Sequence, residues 1–120
     1  MKYLACIFLL SCTVTIACRN SNNKEILGID SMKVVMWDIM KSDELYLRIL
    51  AKDTSARTRK ENIRLYEQVY YIHHLRKGLF DSSYRFYEAH PVQFKLLIDS
   101  LEAYSKREKE KFTSKHGQAN

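Results

Sequence analysis

Beyond residue 30 the apolar positions of this chain recur at the spacing of helical faces. Met32, Val35, Met36, Ile39 and Met40 stand at i, i+3, i+4, i+7 and i+8, which places them along one stripe of an α-helix. Asp30 or Ser31 occupies the expected N-cap position, where a short side-chain oxygen accepts from backbone N–H groups that have no partner in the first turn. Leu45, Tyr46, Ile49 and Leu50 continue the helix, and Lys52-Asp53-Thr54-Ser55-Ala56-Arg57, which has no apolar period, predicts a connection,. A second helix carries Ile63, Tyr66, Val69, Tyr70 and His73 on one side and ends near His74, before Gly78. A third, short helix spans about Lys77 to Ala89 with Phe80, Ser83, Tyr84 and Tyr87 on one face. Pro91, the only proline, pushes His90 out of helical geometry and suits the first turn of a fourth helix whose stripe is Phe94, Leu97, Ile98, Leu101 and Tyr104,. No window alternates as a half-buried strand does, and 3 glycines are too few for a hairpin-rich fold,. The expectation is an all-α domain, a small bundle of three main helices plus one short helix.

The first eighteen residues follow a different pattern. Lys2 leads an apolar run from Tyr3 to Cys18, and the polar Arg19-Asn20-Ser21-Asn22-Asn23-Lys24 follows at once. This is the layout of a secretory signal, and the run is shorter than the roughly 20 apolar residues of a membrane-spanning helix. Thr15-Ile16-Ala17-Cys18 resembles a bacterial lipobox, with Thr15 in place of the usual leucine. Leu9-Leu10-Ser11-Cys12 is the closer literal match but leaves only a stub of apolar segment before it, so Cys18 is the expected lipidation site. The chain then divides into a signal peptide (1–17), a lipidated cysteine with a flexible tether (18–29), a helical domain (30–113) and a disordered tail (114–120). All 3 cysteines, Cys6, Cys12 and Cys18, lie in the signal region, so the domain carries neither a disulfide framework nor a thiolate metal site.

Charge narrows the partners. The formal net charge of +6 falls by one when Lys2 is removed. For an exported domain, a basic balance points to anionic lipid headgroups and other envelope polymers rather than to nucleic acid. Lys106, Arg107, Lys109 and Lys111 alternate with Glu108 and Glu110, which reads as a solvated helix face. Surface-exported bacterial lipoproteins carry an acidic cluster after the cysteine, whereas this tether is basic. The expected location is therefore the outer membrane, lipid-anchored and facing the periplasm. The expected partners are the bilayer, through Cys18, and an unidentified envelope protein. The sequence does not specify the oligomeric state.

Phe80-Asp81-Ser82-Ser83-Tyr84-Arg85-Phe86-Tyr87-Glu88-Ala89-His90-Pro91 resembles the F-x-x-S-x-x-Y-Y-x-x-H-P signature of a family of small Bacteroidota lipoproteins that carry a domain of unknown function. Phe86 stands where tyrosine is commoner. Ile29-Asp30-Ser31-Met32, the tyrosine-rich second helix and the apolar fourth helix fit the same family. The resemblance implies a location and a helical fold, and it implies no catalytic residue.

From the residues themselves, the motif reads as a structural corner. Phe80 and Tyr87 are expected to be buried against the second and fourth helices, Ser83 to let another helix approach, and His90 to hold the turn before Pro91 by hydrogen bonding. His73-His74 point about 100° apart on a helix and read as a C-terminal pair favoured by the dipole rather than as metal ligands. No acid stands at a fitting spacing from either histidine. Ser83 and His90, seven apart, are too distant for a nucleophile and its base. Asp38, Asp43 and Glu44 read as a solvated face. Tyr71 and Phe86 fall outside the core stripes and form the candidate interaction surface. No cofactor, metal or catalytic residue is expected. The function read from the sequence is a structural or accessory interaction module of the envelope. The alternative is a ligand-binding module with a tyrosine-lined groove between the second and third helices.

Overall fold

The computed structural model describes residues 25–117, with side chains to residue 115. Residues 1–24, which hold Cys18, the expected signal segment and most of the expected tether, lie outside the described residues, as do residues 118–120. The described residues form four α-helices, α1 (Ile29–Lys52), α2 (Glu61–Ile72), α3 (Lys77–Ala89) and α4 (Pro91–Gly117), with a single 3₁₀ turn at Thr54–Ala56. No described residue is in a strand, and no described helix is long and apolar enough to cross a membrane. The class is all-α, built from two long helices and two short ones, since α2 with 12 residues is no longer than α3 with 13.

α1 is the central element. Its N-cap is Gly28, not Asp30 or Ser31, and no side chain caps it. Asp30 lies instead in the first turn, beside the positive end of the dipole, and pairs with Lys33,. The earlier start follows from Ile26, Leu27 and Ile29, which pack against the core and bring the chain into the domain ahead of residue 30. α2 runs antiparallel to α1: Asp38 meets His73 while Asp43, further up α1, meets Tyr66, further back in α2. α4 runs parallel to α1: Met32 packs with Leu97, and Trp37 lies under Lys109. α4 continues as helix through Gly117, past the boundary expected at residue 113.

The connection after α1 spans Asp53 to Lys60 and is ordered by Asp53, whose carboxylate accepts from the Ser55 N–H at 3.0 Å, the Ser55 hydroxyl at 2.7 Å and Arg59 at 2.8 Å. These bonds, Ser55's hydroxyl foremost and Arg59 next, hold the Asp53 carboxyl down at about 2. Ala56, in a segment without apolar period, is fully buried. In α2 the buried residues are Leu65, Val69 and Tyr70, while Ile63, expected inward, is exposed. The helix is rotated so that Leu65 takes the inward place.

α2 ends in a Schellman motif. The Leu75 N–H donates to Tyr70 O at 2.9 Å and the His74 N–H to Tyr71 O at 3.1 Å, the paired bonds that close a helix around one left-handed residue. That residue is His74, with φ 51°, at a place glycine occupies without steric cost. α3 closes the end of the bundle where α1 and α4 begin. His90 alone separates it from α4, and Pro91 is the first residue of the next helix.

Candidate functional site

At the lower end, Met32, Tyr87 and Leu97 form the buried core, and Phe80, Tyr84, Phe86 and Phe94 pack around it. The chain entering α1 is locked to α3 by two bonds at one residue: the Leu27 N–H donates to Ser83 Oγ at 2.9 Å, and the Tyr87 hydroxyl donates to Leu27 O at 2.8 Å. Ser83 also donates to Leu79 O at 2.7 Å and is fully buried. Its role is thus to hold a peptide group, beyond the spacing role its small size suggests. Four residues apart on α3, Ser83 and Tyr87 face the same way, and together they satisfy both polar groups of the partly buried Leu27,. Burial pushes the Tyr87 phenol above its usual range.

His90 Nδ1 lies 2.6 Å from Phe86 O, and since a carbonyl only accepts, this nitrogen carries the proton. Its ring also rests on Phe86 at 4.2 Å between centroids, and Phe86 meets Tyr87 edge-on at 5.6 Å. Phe86 is therefore half-buried and engaged, not a free contact surface. Tyr71, by contrast, is 81% exposed, beside an exposed Ile72. Phe80 is half-buried: it meets Tyr70 of α2 at 5.7 Å and stacks on Tyr84 at 6.2 Å, while Tyr84 meets Phe94 of α4 edge-on at 6.5 Å. Tyr87 reaches the core of α1 and α4 rather than α2. Tyr70, Phe80 and Tyr84 thus pack on one another where α2 meets α3.

A polar seam joins α1 and α2. His73 Nε2 lies 2.7 Å from Asp38 Oδ2, Lys41 lies 2.6 Å from Asp38 Oδ1, and the Tyr66 hydroxyl donates to Asp43. Burial opposes ionisation of Asp38, but the bonds from Lys41 and His73 outweigh it and hold the carboxyl below its usual range. The Tyr66 phenol is pushed up to about 12, first by its bond to Asp43 and then by burial. Asp38 and Asp43 are therefore interhelical partners, not members of a solvated face, while Glu44 does lie outward and pairs with Arg48 at 2.5 Å. Local spacing could not reveal these pairs, because their members stand 35 and 23 residues apart. Among the described residues no group of three or more His, Cys, Asp and Glu is placed to hold a metal ion.

The third arrangement lies further along α1 and α4, away from the buried core. A groove of about 620 Å³ opens between Trp37 and Lys41 of α1 and Lys109, Phe112 and Lys115 of α4. The ammonium groups of Lys109 and Lys41 stand 5.6 and 5.9 Å from the Trp37 ring centroid, within cation–π range. Sequence reasoning passed over Trp37. The signal that could have found it is a second stripe on α1, Ile29, Lys33, Met36, Trp37, Met40 and Leu47, beside the one counted from Met32.

A family model matches residues 24–111, and its description is a domain of unknown function (DUF4296). Searches of curated proteins and of solved structures return no match to this chain.

Proposed function

The chain belongs to the DUF4296 family of domains of unknown function, and from that premise we propose that it is a lipid-anchored protein of the bacterial cell envelope that acts by contact, as an accessory interaction module. The observation that carries the reading is Cys18, placed directly after Thr15-Ile16-Ala17 at the close of an apolar run and directly before a polar, basic stretch. Two or more acyl chains on such a cysteine hold a protein stably at a membrane where one does not. Seven residues, 19–25, separate Cys18 from Ile26, a reach of at most about 25 Å. The lower corner, where Leu27 is held by Ser83 and Tyr87, is thus the part of the domain nearest the lipid. Arg19 and Lys24 would lie against anionic headgroups, at about 1 kcal/mol each, and the lack of an acidic cluster after Cys18 favours the periplasmic side of the outer membrane. Tyr71 and Ile72 on α2 supply exposed apolar area for a protein partner.

Substitution of Cys18→Ala is expected to release the domain from membranes or to leave it as an uncleaved precursor. A variant that fractionates and migrates as wild type, with Cys12→Ala altered instead, would move the anchor to Cys12. Protease added to intact cells tests the orientation: digestion without rupture of the outer membrane would place the domain outside the cell.

A further inference from the structure

We propose that the groove between α1 and the C-terminal half of α4 binds a single-chain anionic amphiphile, with its acyl chain along Trp37 and Phe112 and its carboxylate or phosphate head between Lys109 and Lys115. The proposal does not depend on where the chain is anchored.

The apolar wall of the groove starts on α1. Low on this helix the stripe that includes Met32 and Met36 is covered by Phe94, Leu97 and their neighbours on α4. Higher up, α1 brings Trp37 to the groove, with Lys41 and Glu44 beside it, and Met40 and Leu47 on the stripe of Trp37 are 51% and 62% exposed. What changes is α4: above Tyr104 the side chains it brings to the groove are mostly charged, Glu108, Lys109, Lys111 and Lys115, with Phe112 as the large apolar one among them. The result is a gap of about 620 Å³, within the roughly 300–1,000 Å³ of small-molecule sites, with an aromatic wall on each side.

The charge half comes from counting which groups are already compensated. Lys41 is paired with Asp38, Lys111 with Glu108, and Glu44 with Arg48. Among the described residues, Lys109 and Lys115 have no carboxylate partner, so the groove keeps an unbalanced positive charge at one rim. Lys109 rests on the Trp37 ring at 5.6 Å, which holds the ammonium at the boundary between the apolar wall and the rim. An apolar trough ending in two uncompensated cations fits a molecule with an apolar tail and one anionic end. A neutral lipid would leave the lysines unmatched, and a bare anion would leave the aromatic walls unused.

Trp37 is the only tryptophan, so its emission reports on the groove alone. With the full chain held in phosphatidylcholine vesicles, dibromostearate is expected to quench Trp37, since bromine quenches only on contact. The methyl ester of dibromostearate is expected to quench weakly, and inorganic phosphate to leave the emission unchanged. Lys109→Gln with Lys115→Gln should weaken quenching by dibromostearate about tenfold or more. The helical circular dichroism should stay that of wild type, because both side chains are solvated. Equal quenching by acid and ester, or by the double variant and wild type, would overturn the proposal. So would a response to phosphate alone, which would mark a plain anion site, or quenching by phosphatidylcholine with brominated chains, which would place the indole in the bilayer. Release of the domain from membranes in a Cys18→Ala variant tests the anchor separately and leaves each of these results readable.

Discussion

α1 and α4 lie side by side along both ends of this molecule, yet the two ends are built differently. At the lower end α4 presents Phe94, Leu97 and Leu101, α3 adds Tyr84 and Tyr87, and Met32 and Leu97 are fully buried between them. At the upper end α1 still presents Met40 and Leu47, but α4 answers with alternating lysine and glutamate, and a groove lies between the helices beside Trp37. The difference shows that one amphipathic helix does not fix its own burial. Apolar side chains of α1 are core where the neighbour is apolar and exposed where the neighbour is charged. Stability belongs to the closed end and accessible surface to the open one.

The largest expected effect tests the closed end. Leu97→Ala should lower stability by about 2–5 kcal/mol through lost burial and the cavity left behind, measured by thermal or urea unfolding. Leu47→Ala, at the open end, should stay within about 0.5 kcal/mol of wild type. Equal losses would erase the distinction between the two ends.

Ser83→Ala comes next. It leaves the Leu27 N–H without its acceptor in a buried place, at a cost of about 1–3 kcal/mol. A melting temperature unchanged from wild type would mean that Leu27 finds another partner and that the corner is held by packing alone.

His74→Gly should raise stability by about 1 kcal/mol, because glycine takes the left-handed conformation at the end of α2 without the steric cost a side chain meets there. A loss instead would show that the imidazole makes a contact worth more than that strain.

The smallest effect concerns the seam. At neutral pH Tyr66→Phe should cost no more than about 1 kcal/mol, and its signature is the pH dependence. Folding raises this phenol to about 12 by favouring its neutral form. The contribution is therefore whole below the ordinary tyrosine value of about 10 and is lost as pH rises through the folded value. Wild type should lose stability more steeply than Tyr66→Phe across that alkaline window; parallel curves would remove the seam as a source of stability. The carboxyls of Asp38 and Asp53 act in the opposite sense, since both are held below their usual range. Their contribution is present above about 4 and fades as pH falls through the folded values, down to about 2 for Asp53,.

Periodicity and punctuation made much of this architecture legible. The break at Lys52–Arg57, the stop near His74 and the hand-over from His90 to Pro91 are local events, set by the backbone preferences of a few adjacent residues. The all-α class and most of the stripe on α4, Phe94, Leu97, Leu101 and Tyr104, follow from spacing alone, whereas Ile98, expected on the same stripe, is exposed. Less was legible at the sites. Ser83 read as a small residue because its partner, the Leu27 peptide, lies 56 residues away. Phe86 read as surface because nothing local shows that its ring sits between Tyr87 and His90.

What the sequence determined by itself is therefore the set of helices, the stop of α2, the hand-over from α3 to α4, and an apolar run that closes on Cys18 before a basic stretch. These depend on interactions within a few residues or on composition over a short window. Tertiary structure decided which stripe of α1 became core, that Asp38 and Asp43 clasp α2 instead of facing water, and that Trp37 lines an open groove. Each of these depends on which side chains a neighbouring helix brings to the same height, and a one-dimensional period cannot encode that. Burial and charge pairing belong to the pair of surfaces and not to either helix alone.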